Sequence, residues 1–190
     1  MSTLYSVGQM NQVGDAFESA GFTPDDMTNL RSFADLASFK NVINGTAKIV
    51  VVEHIIDCDA DPFLPEGWQG VESHKKGGQL EWDPTKIRLH LSPNQQGSKY
   101  IQGHKLREEL ASEPVLNANV LDYLLAHPEL IPEEWKGKYV FFWGTIYRRS
   151  DGILCVRFLN WRGERWNWVY FWLGRSFDSS SPAACSQVSS

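Results

Sequence analysis

Apolar and polar positions alternate through most of the segment Lys138–Leu173, and the alternation is broken by two sets of turn residues, Ser150-Asp-Gly152 and Arg162-Gly163. A period of two with side chains on opposite faces predicts β-strands, and the Asp-Gly and Arg-Gly pairs predict tight reversals. The reading is a three-stranded antiparallel meander with strands at Lys138–Arg148, Ile153–Trp161 and Arg165–Leu173. A helix is weakly spaced over Gln9–Ala20, and Thr23-Pro24-Asp25-Asp26 opens another, with a cap oxygen, a first-turn proline and acids at the positive end. Phe33, Leu36, Ala37 and Phe39 give an apolar side to a helix over Ser32–Ile43. Lys48–Glu53 reads as a buried strand and Lys86–Leu91 as a half-exposed one. Helices follow at His104–Ala111 and Asn117–Ala126, and Pro132–Trp135 makes a single turn.

The fold class these elements imply is α+β: N-terminal and central helices packed on an antiparallel sheet that ends in the aromatic meander. The division along the chain is an N-terminal helical segment over 1–46, an α+β domain over 47–177, and a Ser-rich, disordered tail over 178–190. Asp57–Gly78, dense in Pro, Gly and charge, reads as a long irregular loop.

Charge changes the picture of the meander. Lys138–Arg175 holds 12 of the 24 aromatic residues and seven of the 18 Lys and Arg, against Asp151 and Glu164 alone. This +5 stretch sits in a chain of net charge −5, which disfavours indiscriminate nucleic-acid binding but leaves room for a local basic patch. Alternation places Trp166, Trp168, Tyr170 and Trp172 on one face of the last strand, and Cys155, Arg157, Leu159 and Trp161 on one face of the middle strand. If the aliphatic set Leu154, Val156 and Phe158 faces the helices, Arg157 and Trp161 look outward beside the Trp/Tyr row. Arg157, Trp161, Trp166, Trp168, Tyr170 and Trp172 then form a candidate ligand-binding surface. Stacking on it suits a glycan or single-stranded nucleic acid, and the arginines suit an anionic group or a protein partner. The competing reading buries both faces as core between two layers.

An enzymatic alternative rests on Asp57, Asp59 and Asp61 with His54. Three alternating carboxylates ~7 Å apart can hold a hard cation in a metal-dependent hydrolase. Pro62 stands where a calcium loop needs Gly and no Glu closes the loop, so the simpler reading is a turn in which an Asp caps backbone N–H groups. His54, Glu72 and His74 flank the loop and suit acid–base chemistry if they meet. None of the five His pairs at zinc spacing, no nucleophile elbow is present, and Gly77-Gly78 has no Lys-Ser/Thr after it. The balance favours a non-enzymatic protein with no cofactor and no metal. A third reading makes the helix at 117–126 the contact face of a structural or regulatory partner module.

Three Cys in no metal or redox spacing read as reduced thiols, which together with the missing basic-then-apolar start predicts a cytoplasmic protein. No run approaches the ~20 apolar residues of a membrane helix. The run Val115-Leu-Asn-Ala-Asn-Val-Leu-Asp-Tyr-Leu-Leu-Ala-His-Pro-Glu-Leu-Ile-Pro-Glu-Glu-Trp-Lys-Gly-Lys-Tyr-Val-Phe-Phe-Trp-Gly-Thr-Ile-Tyr-Arg148, with Asp57–Trp68 and Gly77–Pro84, resembles a family of uncharacterised bacterial proteins from environmental and candidate-phylum genomes. The resemblance spans roughly residues 48–175, leaves the N-terminal helices outside, and implies a bacterial source without implying an activity.

Overall fold

The computed structural model describes residues 4–31, 36–48 and 53–187. The chain divides into two compact units, Met1–Val52 and Glu53–Ser190. In the first, α1 (Val7–Ser19) opens on a reciprocal cap between Ser6 and Gln9, α2 (Pro24–Arg31) opens on Thr23, and α3 spans Leu36–Ile43. The Thr23 hydroxyl and backbone N–H both donate to Asp26, and the Asp26 N–H donates back to that hydroxyl. Neither α1 nor α2 carries a buried residue. Part of the helix expected over Ser32–Ile43, and the centre of the strand expected at Lys48–Glu53, lie outside the described residues.

The second unit is α+β. Its elements in chain order are β1 (Ile55–Asp57), β2 (Trp68–His74), β3 (Gln79–Glu81), β4 (Ile87–His90), β5 (Ile101–Gln102), α4 (Gly103–Glu109) and α5 (Ala118–Ala126). The meander then runs β6 (Val140–Arg149), β7 (Leu154–Arg162) and β8 (Arg165–Trp172), followed by β9 (Ser176–Phe177) and β10 (Ala183–Ser186). The main sheet has the order β4-β10-β6-β7-β8, and β2 shares with β10 the edge of β6 that β7 does not use. The β7–β8 turn is Gly163-Glu164 with φ of 61° and 62°, the left-handed pair that a two-residue hairpin needs.

Two expectations are corrected here. The tail is not disordered through Ser186: β10 inserts between β4, antiparallel, and β6, parallel, with Ala183, Ala184 and Cys185 buried. Small side chains give no hydrophobic signal, yet they are what fits a strand covered on both faces. The preceding turn is set by the Asp178 carboxylate, which accepts from the Ser180 N–H and hydroxyl, while the buried Gln95 amide donates to the carbonyls of Asp178 and Ser181. Asp57–Gly78 is not one irregular loop either. It holds β2, whose pairing with β6 is interrupted by two register shifts, and such irregular pairing blurs the alternation from which strands are read.

Both faces of the sheet are covered. One face packs Val140, Phe142, Leu159 and Trp166 against Val120, Leu121 and Leu124 of α5. The other packs Phe141, Ile146, Val156 and Phe158 with Leu106 of α4, Leu110 and Phe177. Between Phe141↔Phe158 and Ile146↔Val156 the β6 chain advances five residues against two of β7. In this bulge Gly144 passes so close to the start of α5 that a Cβ would lie 2.9 Å from Asn117 backbone atoms. Asn117 caps α5 and Thr145 receives the Ala118 N–H, so the bulge and the helix start are one polar joint.

Candidate functional site

The expected outward turn of Arg157 is corrected by the structure. The aliphatic set Leu154, Val156 and Phe158 does face α4, but α5 covers the opposite face, so Arg157 is 0% exposed. Its guanidinium donates to both carboxylate oxygens of Asp122 at 2.6 and 3.0 Å. It also lies 4.2 Å from the ring of Trp168, with Tyr147 and Phe63 further round. Its Nε is buried without a hydrogen-bond partner among the described residues. The Tyr147 hydroxyl donates to the Phe63 carbonyl, and burial pushes that hydroxyl's pKa up while the Arg157 cation works against the shift. Sequence reasoning missed Asp122, though a lone carboxylate among the apolar residues of α5 was the available signal.

The remaining residues of the expected surface form a gradient. Trp166 is buried, Trp168, Tyr170 and Trp172 are half-buried, and Trp161 is 36% exposed with the Lys136 ammonium 4.0 Å over its ring. Trp68 from β2 meets Tyr147 and Tyr170 edge-on. The Arg149 guanidinium sits over Tyr170 and Trp172 and donates to the Tyr170 hydroxyl, and Arg175 approaches Trp172 from β8's end. Phe63, Trp68 and Arg149 belong to this group without having been singled out.

Among the described residues no strand pairs with the outer side of β8, which makes that side the open part of the site. Leu173 N–H donates to Leu154 O, which fixes the hydrogen-bonding phase of the β7–β8 ladder. With the regular pairing from Cys155↔Trp172 to Arg162↔Arg165, the N–H and C=O groups of Asn167, Val169 and Phe171 point to β7. Those of Trp166, Trp168, Tyr170 and Trp172 point to the outer edge. Among the described residues no backbone group pairs with the N–H of Trp166, Trp168 or Tyr170. Side chains of these same residues form the aromatic row, so backbone donors and stacking rings share one margin.

The acidic loop does something else. Asp57 accepts from the Asp59 N–H, and Asp59 accepts from the N–H groups of Gly77 and Gly78. The Gly78 and Gly77 bonds hold the Asp59 carboxyl below its ordinary pKa. Asp61 is exposed. His54 is bonded to the Tyr123 hydroxyl at 3.0 Å and stands edge-on to His127. Glu72 pairs with Arg148, and His74 bridges the Thr145 hydroxyl and the Cys58 carbonyl. His54, Asp59, Glu72 and His74 are each engaged in a contact of their own, and among the described residues no set of three His, Cys, Asp or Glu is placed to hold a metal ion. The apolar side of α5 is used by the unit's own sheet. No helix among the described residues is long and apolar enough to cross a membrane. Comparison of the chain with protein-family models, with curated proteins and with solved structures returns no match in any of the three.

Proposed function

We propose that this protein is a binding module that takes up an extended acidic segment of a partner protein as an added strand on β8. One observation carries the reading: β8 is a regularly paired, eight-residue strand with no charge, proline or bulge between Trp166 and Trp172, and among the described residues no strand pairs with its outer side. Exposed edges are ordinarily blunted by such features, and an unblunted one is a template for another strand. The charges at its two ends select the occupant. Arg162 and Arg165 lie at one end and Arg175 at the other, opposed by Glu164 alone. Antiparallel pairing with a second copy along the whole strand sets the Arg162/Arg165 end against Arg175, and like charges facing each other are destabilising. An acidic strand meets cations at both ends. The Arg157–Asp122 pair supports this surface from beneath, with the buried Arg157 guanidinium against the Trp168 ring, rather than contacting the ligand.

The test is fluorescence anisotropy with a labelled ten-residue peptide of alternating Glu and Val. Saturable binding that weakens with salt is expected. Tyr170→Pro removes an outward N–H and no bond to β7, so it should weaken binding well beyond Tyr170→Ala. Equal effects of the two variants, or self-association instead of peptide binding in sedimentation, would overturn the reading.

A further inference from the structure

A cavity of about 230 Å³ lies beside the β6 bulge, on the α4 side of the sheet. Ser73, His74, Lys75 and Arg107 contribute its polar wall, and Leu110, Val115 and Trp143 its apolar wall; among the described residues no carboxylate lines it. The residue that sets it apart is Arg107. Of the nine arginines, the five that are not exposed are Arg88, Arg107, Arg148, Arg149 and Arg157. Four of these have a carboxylate partner: Glu113, Glu72, Asp151 and Asp122 respectively for Arg88, Arg148, Arg149 and Arg157. Among the described residues Arg107 has none, and its one hydrogen bond goes to the Ser73 hydroxyl at 3.1 Å. A guanidinium carries five N–H donors, so most of its capacity is unspent. Lys75 Nζ is held in place by the Glu113 carbonyl at 2.7 Å, which leaves two ammonium donors. Ser73 accepts from Arg107, so its own proton is free to donate. Trp143 is 5% exposed and its Nε1 has no partner among the described residues, one of three buried side-chain polar atoms so left.

A half-buried cation without a counter-charge is costly, and an anion brought into the cavity relieves that cost. The volume lies below the roughly 300–1,000 Å³ of pockets for drug-sized molecules, which limits the ligand to a small one. We propose that this cavity binds a small organic oxyanion, a carboxylate or phosphate monoester with a compact apolar body. Its charged end pairs with Arg107, Lys75 and Ser73, and its body lies on Leu110, Val115 and Trp143. The site is separate from β8, so its test is independent of peptide binding.

Benzoate and phenyl phosphate serve as probes, followed by calorimetry and by the indole N–H resonances of the ¹⁵N-labelled full chain. The expected result is one saturable site, a shift of the Trp143 indole resonance, and at least about tenfold weaker binding in Arg107→Gln, the loss of one charge-assisted contact. Tighter binding of phenyl phosphate identifies a phosphate ester as the physiological class, and tighter binding of benzoate identifies a carboxylate. If Arg107→Gln lowers the thermal midpoint, Lys75→Gln at its exposed position replaces it, and a loss of affinity there supports the site. Failure of both probes to saturate by about 10 mM, weaker than any useful site on the affinity scale, overturns it. So does unchanged affinity in a folded Arg107→Gln or Lys75→Gln protein.

Discussion

Removing Asp122 should cost more than removing Arg157, although each removal breaks the same ion pair. Arg157 is 0% exposed, while the Asp122 side chain keeps 31% of its exposure. The Asp122→Leu variant therefore strands a cation that cannot shed its proton and cannot reach water. Breaking a buried pair in that way costs about 3–5 kcal/mol. Arg157→Met keeps an apolar stem beside Trp168 and leaves a carboxylate that water can reach. Its cost is the pair's charge-assisted hydrogen bonds and the stacking on Trp168, about 2–3 kcal/mol. The double variant replaces the pair by apolar groups, a change that is often close to neutral. The two single effects should then exceed the double by at least about 2 kcal/mol. All eight Trp lie within Glu53–Ser190, so Trp fluorescence in a urea titration reads this unit alone. The midpoint should move with little change in slope. Single effects that add to within about 0.5 kcal/mol, or an Asp122→Leu cost below about 1 kcal/mol, refute the reasoning.

Three further outcomes follow from the same contacts. Truncation after Asp178 removes β10 from between β4 and β6, so the cooperative Trp-fluorescence transition of the second unit should be lost; an unchanged midpoint contradicts the sheet order. Burial pushes the thiols of Cys58, Cys155 and Cys185 up to about 11, so at pH 8 an aromatic disulfide reagent should label none of them until denaturant is added. Hydrogen bonds from Gly78 to Asp59, and from Ser180 to Asp178, lower both carboxyl pKa values in the folded chain. Their stabilisation is present above the unfolded value of about 3.9 and is lost as pH falls through the lower folded values. The thermal midpoint of Asp59→Asn should accordingly depend less on pH below about 4 than that of the parent chain.

The parts of the fold that were legible in the sequence are those whose signal is local. Alternation and the turn pairs placed β6, β7 and β8, and the Asn117 cap placed α5. What was not legible depends on contacts distant in the chain. Ser181–Ser186 reads as a tail because nothing local shows that β4 and β6 leave room for a strand of small residues. Which face of β7 is wet was misassigned for a similar reason. The candidate surface took the aliphatic face as the only covered one; the competing reading, with both faces as core, is the one that describes Arg157, since α5 covers the other face and brings Asp122 to it. The aromatic row itself was legible from its spacing; its value as an edge came only with the strand order, in which no described strand pairs with the outer side of β8. The anion cavity had no local signal, because Ser73, Arg107 and Trp143 come from three separate elements.

Hydrogen exchange of the β8 amides, measured by NMR with and without the alternating Glu/Val peptide, tests the central claim most directly. In the free protein the N–H groups of Asn167, Val169 and Phe171, bonded to β7, should exchange slowly, and those of Trp166, Trp168 and Tyr170 quickly. With saturating peptide the second set should become protected while the first changes little. Equal protection of the two sets in the free protein, or no added protection of Trp166, Trp168 and Tyr170 with peptide bound, would contradict the assignment of β8 as the binding edge.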